Sequence, residues 1–250
     1  MKIIFRLIDI YLHASIHIAF AVFSLLQITK LSFNNTSTSK LDYFVFFGTI
    51  LGYNFLRYFE VFWKGIFKLK SNVDIILVSF LSLLVSIYFY TELELKIQIA
   101  FIAISLLVLM YPFIRKFPMI KMVFVSFCLT LITVYILQIN ENINFGYFSQ
   151  RLIIIFCLLI PQEICDLESD AKTIKTLPQI IGIYNLKILG YLLLSVFCLL
   201  DFNLLNAVFA VLVSFAIFYS NINQSKYYTS FWVESLPIVW WILILLVYYQ

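Results

Sequence analysis

A bundle of membrane-spanning α-helices, forming one integral membrane domain over residues 1–250, is the fold this chain predicts, and three observations predict it. Hydrophobic residues make up 63% of the sequence and charged residues 12%, which leaves too little polar surface to wrap a water-soluble globule. The mean hydropathy is +1.01. The apolar residues fall in long continuous runs, without the period-two alternation of barrel strands, so a helical bundle is expected and a β-barrel excluded.

Nine apolar segments of spanning or near-spanning length follow one another, at residues 7–29, 41–63, 73–91, 97–114, 119–139, 149–166, 182–201, 203–222 and 231–249. The first contains the run Leu7 to Ile28, too long for a signal-peptide core and without a small-residue cleavage site, so it reads as one retained helix. The polar stretch SFNNTSTSK separates it from the second, which ends in the basic stretch Lys64 to Lys70. TELELK joins the third and fourth so closely that they form a tight hairpin, and Arg115-Lys116 separates the fourth from the fifth. NENINFG leads into the sixth, DFN closes a second tight hairpin between the seventh and eighth, and the ninth reaches the last residues. Several segments are shorter than the roughly 20 residues of a full span, so eight crossings also fit. No linker, repeat or low-complexity tract divides the chain.

Basic residues orient the bundle. With a cytoplasmic N-terminus, the inner side collects Lys2, Arg6, Arg57, Lys64, Lys68, Lys70, Arg115, Lys116, Lys121, Lys172, Lys175, Lys187 and Lys226, which is 13 of the 17 Lys and Arg. Lys30, Lys40, Lys96 and Arg151 fall on the other side, where the C-terminus is also expected. The expected location is a bacterial inner membrane, with membrane lipids as surroundings and no nucleic-acid partner.

Residues 163–178 read EICDLESDAKTIKTLP and set acids at the mouth of this apolar bundle. Glu163, Asp166 and Asp170 stand at i, i+3 and i+7 and share one face if the helix continues through them. Carboxylates crowded in this way repel unless a cation holds them ionised, and Mg²⁺, which takes one or two carboxylates and completes its shell with water and phosphate oxygens, suits them. Lys172 and Lys175 follow where a phosphate would need counter-charge. A solvated charged loop is the plainer reading. The run directly follows the apolar stretch Leu152 to Pro161, which favours the site. His13 and His17, four apart, read as bundle-facing polar residues or, with no third ligand near in sequence, less readily as a metal pair. Cys128, Cys157 and Cys198 lie in apolar segments and Cys165 beside the acidic face, with no paired spacing, so no disulfide or zinc site is indicated.

The pattern E-x-x-D-x-x-x-D followed by K-T-L-P, at Glu163, Asp166, Asp170 and Lys175 to Pro178, resembles the second aspartate-rich motif of the UbiA superfamily of intramembrane prenyltransferases. Tyr111-Pro112-Phe113-Ile114-Arg115-Lys116 is similar to the Y-P-x-x-K-R segment of the same family. The first motif departs. The family's N-x-x-x-D-x-x-x-D is met by Asn54, but Tyr58 and Phe62 occupy the acidic positions, leaving Asn54, Arg57 and Glu60 on one face. Arg57 and Glu60 would form an intramembrane ion pair, or Arg57 would supply in one fixed cation what a second metal supplies.

The resemblance implies a nine-helix bundle and transfer of a prenyl group from a prenyl diphosphate to an aromatic or other lipophilic acceptor. Glu163, Asp166 and Asp170 would hold Mg²⁺, with Asp166 and Asp170 at the centre of catalysis. Asn54, Arg57, Arg115, Lys116, Lys172 and Lys175 would bind the diphosphate. A degenerate relative that binds isoprenoid without turnover, or a small lipid transporter, are the alternatives. The few glycines and the gathering of charge at one end argue against a transporter, and a CDP-alcohol phosphotransferase lacks its D-G…A-R signature here. Reporter fusions after Lys70, Lys121 and Lys175 are expected to report cytoplasm, and fusions near Asn35, Glu92, Asn142 and Gln250 the opposite side. A cytoplasmic C-terminus would break the nine-segment count.

Overall fold

The computed structural model describes residues 2–33, 39–63, 73–114, 117–167, 176–225 and 227–248, and among them it is helical with no strand. The helices are α1 (Lys2–His13), α2 (Ile16–Ser32), α3 (Ser39–Trp63), α4 (Val73–Thr91), α5 (Leu95–Ile114), α6 (Pro118–Thr133), α7 (Phe145–Cys165), α8 (Leu177–Ile181), α9 (Ile183–Leu200), α10 (Leu204–Tyr219) and α11 (Leu236–Tyr248). A 3₁₀ turn, Tyr135–Gln138, follows α6, and a π-turn, Tyr228–Val233, precedes α11. Five stretches among the described residues are long and apolar enough to cross a membrane: α4, α5, α7, α9 and the run Tyr228–Tyr248. Ile16–Ser32, Ile120–Thr133 and α10 are apolar but shorter. The molecule is an integral membrane protein.

The first apolar segment is not one helix. It breaks at Ala14–Ser15, where Ser15 adopts a left-handed φ of 59°. Neither residue is a helix breaker by type, so the break is imposed from outside by groups that bind the freed ends. The two tight hairpins form for local reasons. Gln98 donates from Nε2 to Tyr90 O at 2.9 Å and Leu93 O at 3.0 Å, closing the C-terminal end of α4. Between α9 and α10, Asn203 Oδ1 accepts from Asn206 N at 2.8 Å, and Asn206 Nδ2 donates to Asp201 Oδ2 at 3.0 Å.

Helix α7 is the axis of the larger core, packed by α6, α9 and α10. Ile154, Ile160 and Ile164 of α7 are fully buried against Leu186, Phe197, Phe209 and Ile217. Gly190 sets the closeness of this packing, because a Cβ there would stand 2.8 Å from Ile160 Cδ1 and 3.0 Å from Ile217 Cδ1. A smaller core gathers Ile18, Val22 and Leu26 of α2 with Leu41, Val45, Phe101 and Ile136. Four buried hydroxyls are satisfied within their own helices: Thr29 donates to Leu25 O, Thr49 to Val45 O, Ser126 to Met122 O and Thr130 to Ser126 O.

Two basic residues expected at the outer ends lie inside the bundle. Lys30, 8% exposed, pairs with Asp42 at 2.5 Å. Arg151 is 2% exposed and donates from Nη2 to Tyr147 OH at 2.7 Å and Thr29 Oγ1 at 3.1 Å. Its guanidinium lies 5.4 Å from the Tyr147 ring centre and 5.1 Å from that of Trp240, tying α2, α7 and α11 together by cation–π contact and hydrogen bonding. Arg151→Ala removes charge-assisted bonds worth about 1.5–3 kcal/mol, so the unfolding temperature of the detergent-solubilised protein is expected to fall, and to fall further than for Thr29→Val.

Candidate functional site

The C-terminal half of α3 faces the broken end of α1. Arg57 Nη1 donates to Leu12 O at 2.9 Å and His13 O at 3.1 Å, and Tyr58 OH donates to His13 O at 3.2 Å. The last carbonyls of a helix lack intrahelical partners and carry its negative pole, so a cation and a hydroxyl are the groups that suit them. Tyr58 at one expected acid position is thus a donor to a carbonyl. Glu60 and Phe62 have side chains outside the described residues, so the Arg57–Glu60 pair is not among the described contacts. Asn54, 3% exposed, donates from Nδ2 to Ser79 Oγ at 2.9 Å. Its buried Oδ1 has no hydrogen-bond partner among the described residues.

A second network fixes the other side of the break. His17, 3% exposed, places Nε2 3.0 Å from Phe231 O and 3.1 Å from Ser235 Oγ, and Nδ1 2.9 Å from Tyr11 OH. Phe231 O can only accept, so Nε2 carries the hydrogen and Nδ1 accepts from the Tyr11 hydroxyl. The π-turn accommodates one extra residue per turn and so aims Phe231 O and Ser235 at α2. Just before it, Tyr227 OH donates to Asp9 Oδ1 at 2.8 Å, a bond that raises the phenol above its usual pKa. His13 is exposed and His17 buried, so the break separates the two histidines that one helix would place on a common face.

The acidic motif begins inside α7. Glu163 is 5% exposed, and its Oε1 lies 2.6 Å from Lys121 Nζ of α6. The helix ends at Cys165, and Asp166 is its C-cap, one turn beyond Glu163, with its N–H on Gln162 O at 2.9 Å. Leu167, just after Asp166, is again helical, and Asp170, Lys172, Lys175, Arg115 and Lys116 lie outside the described residues. The chain resumes with Thr176, whose N–H bonds Gln179 Oε1 at 2.9 Å at the start of α8.

These pieces converge. Glu234, between the π-turn and α11, lies within electrostatic reach of Arg57 and Asp166. Tyr53, one residue before Asn54, lies within reach of Glu234, Arg57 and Tyr111, the first residue of the Y-P segment. The structure thus brings Arg57 and Asp166 to one interior with Tyr53, Tyr111 and Glu234, and turns Asn54 toward α4. A groove of about 330 Å³ between α3 and α4, lined by Leu51, Asn54, Phe55, Tyr58, Ile76 and Phe80, opens beside Asn54. Glu234, Lys121 and Tyr53 were not singled out from the sequence. The one available signal was Glu234 itself, an acid within an otherwise apolar span.

No family model matches the chain, and no curated protein matches it. Two solved structures do. The structure of a UbiA homolog from Archaeoglobus fulgidus bound to GPP and Mg²⁺ is 14% identical, with a TM-score of 0.55, over 94% of this chain and 99% of that one. A further structure of a UbiA homolog from Archaeoglobus fulgidus is 13% identical, with a TM-score of 0.50, over 94% and 96%. The chain has the UbiA fold.

Separating the partners of the Lys121–Glu163 pair removes a counter-charge 2.6 Å from a buried group. Lys121→Met or Glu163→Leu alone is expected to destabilise by roughly 3–5 kcal/mol, and the double variant to recover most of that, as read by thermal unfolding in detergent.

Proposed function

We propose that this chain is a UbiA-like membrane prenyltransferase that transfers the prenyl group of a prenyl diphosphate to an aromatic or other lipophilic acceptor, with Mg²⁺. The observation that carries the reading is the convergence of Asp166, Arg57 and Tyr111, from three separate motif segments, on one interior of a bundle whose fold is that of a homolog bound to GPP and Mg²⁺.

The donor set fits a magnesium ion. Mg²⁺ asks for one or two carboxylates and takes the remainder of its shell from water and phosphate, so Asp166 with Asp170 or Glu163 suffices. Among the described residues no three His, Cys, Asp or Glu side chains gather as a metal cage, and Asp170 lies outside those residues. When bound, the ion draws charge onto the departing diphosphate. Arg57 serves that end as well: its Nη1 holds the α1 carbonyls and its side chain also bonds Tyr58, so the guanidinium would meet a phosphate as a cation fixed in place by the helix end. Asn54 Oδ1 would accept from a bound water or donor group. Arg115, Lys116, Lys172 and Lys175 would neutralise the remaining charge. The apolar groove beside Asn54 suits a prenyl chain. Ionisation of the allylic C–O bond then leaves a cation for the acceptor to capture.

A second reading rests on one specific observation. Tyr58 and Phe62 stand where the family pattern has acids, which favours a relative that binds isoprenoid without turnover. GPP binding and diphosphate release by the purified protein, each with and without Mg²⁺, separate the two. Asp166→Asn is expected to abolish Mg²⁺-dependent GPP binding and Glu168→Gln to change it little, as followed by calorimetry. GPP binding indifferent to Mg²⁺ and to Asp166→Asn would sink the metal assignment, and Mg²⁺-dependent binding without diphosphate release would select the second reading.

A further inference from the structure

Prenyl transfer creates a proton as well as a diphosphate. When the acceptor's electron pair forms the new bond to the allylic carbon, the C–O bond electrons leave on the diphosphate, and the attacked atom must shed its proton to a base. That base has to lie inside the bundle and to have a free electron pair.

Among the described residues the interior described above holds eight of the titratable groups that face it: Tyr11, His17, Tyr53, Arg57, Tyr58, Tyr111, Asp166 and Glu234. His17 is spent, because its only accepting nitrogen holds the Tyr11 hydroxyl and its N–H holds Phe231 O. Arg57 is a permanent cation. The phenols of Tyr11 and Tyr58 donate to His17 and His13 O, and the neutral phenols of Tyr53 and Tyr111 are weak bases. Asp166 is assigned to the metal. Glu234 remains. Its carboxylate has no hydrogen bond and no ion pair among the described residues, and it is the one acid of the apolar run Tyr228–Tyr248. Such a group is costly in a membrane span and marks a functional position. The π-turn that docks on His17 sets the backbone immediately before Glu234, with Glu234 N–H on Thr229 O at 3.2 Å. Turns of this kind recur at functional sites.

We propose that Glu234 is the base that takes the acceptor's proton, and that the acceptor's polar head therefore lies between the α1–α2 break, the end of α3 and the π-turn. The step balances without a further reactant: the carboxylate becomes a carboxylic acid, the acceptor regains its neutral form, and diphosphate is the leaving group. The proposal rests on the prenyltransferase reading.

The test uses the full-length protein in detergent, GPP with Mg²⁺, and water or a simple phenol as acceptor, scored by diphosphate release and by geraniol or prenylated product. Glu234→Gln and Glu234→Ala are expected to keep the GPP dissociation constant within about twofold while turnover falls about 10²- to 10⁴-fold, the range of a lost general base. Added formate is expected to restore part of the turnover of Glu234→Ala, which a purely structural role would not allow. Equal turnover in Glu234→Gln, parallel loss of GPP binding in both variants, or no rescue by formate would overturn the assignment. A wild type that binds GPP but releases no diphosphate to any acceptor overturns it as well, since no proton then needs a base. Failure of the wild type to bind GPP with Mg²⁺ is a different result, and removes the prenyltransferase reading itself.

Discussion

Everything at the polar end of this bundle depends on how two carbonyls are satisfied. A helix that stops inside an apolar bundle exposes oxygens that water cannot reach, at a cost of several kcal/mol each if they are left bare. Here α1 stops at His13, and Arg57 and Tyr58 of α3 take the carbonyls of Leu12 and His13. The new start at α2 is held by His17 on the π-turn. Three elements remote in sequence are therefore pinned at one place, and the positions of Tyr53, Asn54 and Glu234, each adjacent to a pinned residue, follow.

The opposite end treats its charges in the reverse way. Lys30 is closed on Asp42, and Arg151 on two hydroxyls and two aromatic faces, with its buried Nη1 making no hydrogen bond among the described residues. At the polar end Arg57 is held by backbone carbonyls, and the Glu234 carboxylate makes no hydrogen bond or ion pair among the described residues. The asymmetry follows from partner supply. Burying a charge is tolerable when its partners are built in, and a group left without built-in partners is stabilised when a ligand arrives.

The helical bundle, its hairpins and the placement of the acidic motif at the end of a buried helix were legible in the sequence, because apolar runs and the polar residues between them register directly in composition. The break at Ser15 was not, since Ala14 and Ser15 carry no breaking signal and the cause lies in Arg57 and Tyr58, more than forty residues away. The Lys121–Glu163 pair escaped for the same reason: spacing along one helix is visible in a sequence, whereas contact between α6 and α7 is not. Glu163 read as a metal ligand from its spacing, yet it enters the structure already facing a cation. Arg57 was singled out as a diphosphate-binding residue or half of an ion pair, whereas its partners in the structure are carbonyls, which no residue-type pattern can show.

The departure of the first motif from the UbiA pattern and the broken first helix have one physical cause. Position 58 faces the carbonyl of His13 at hydrogen-bonding distance. A carboxylate there would set its charge against the negative pole of α1 and against an oxygen that needs a donor, a repulsion on both counts. A tyrosine hydroxyl supplies the donor instead. An aspartate at 58 and a helix end at His13 exclude each other, and an acid on which Arg57 acts in this interior is Glu234, brought in by the π-turn that the same break receives.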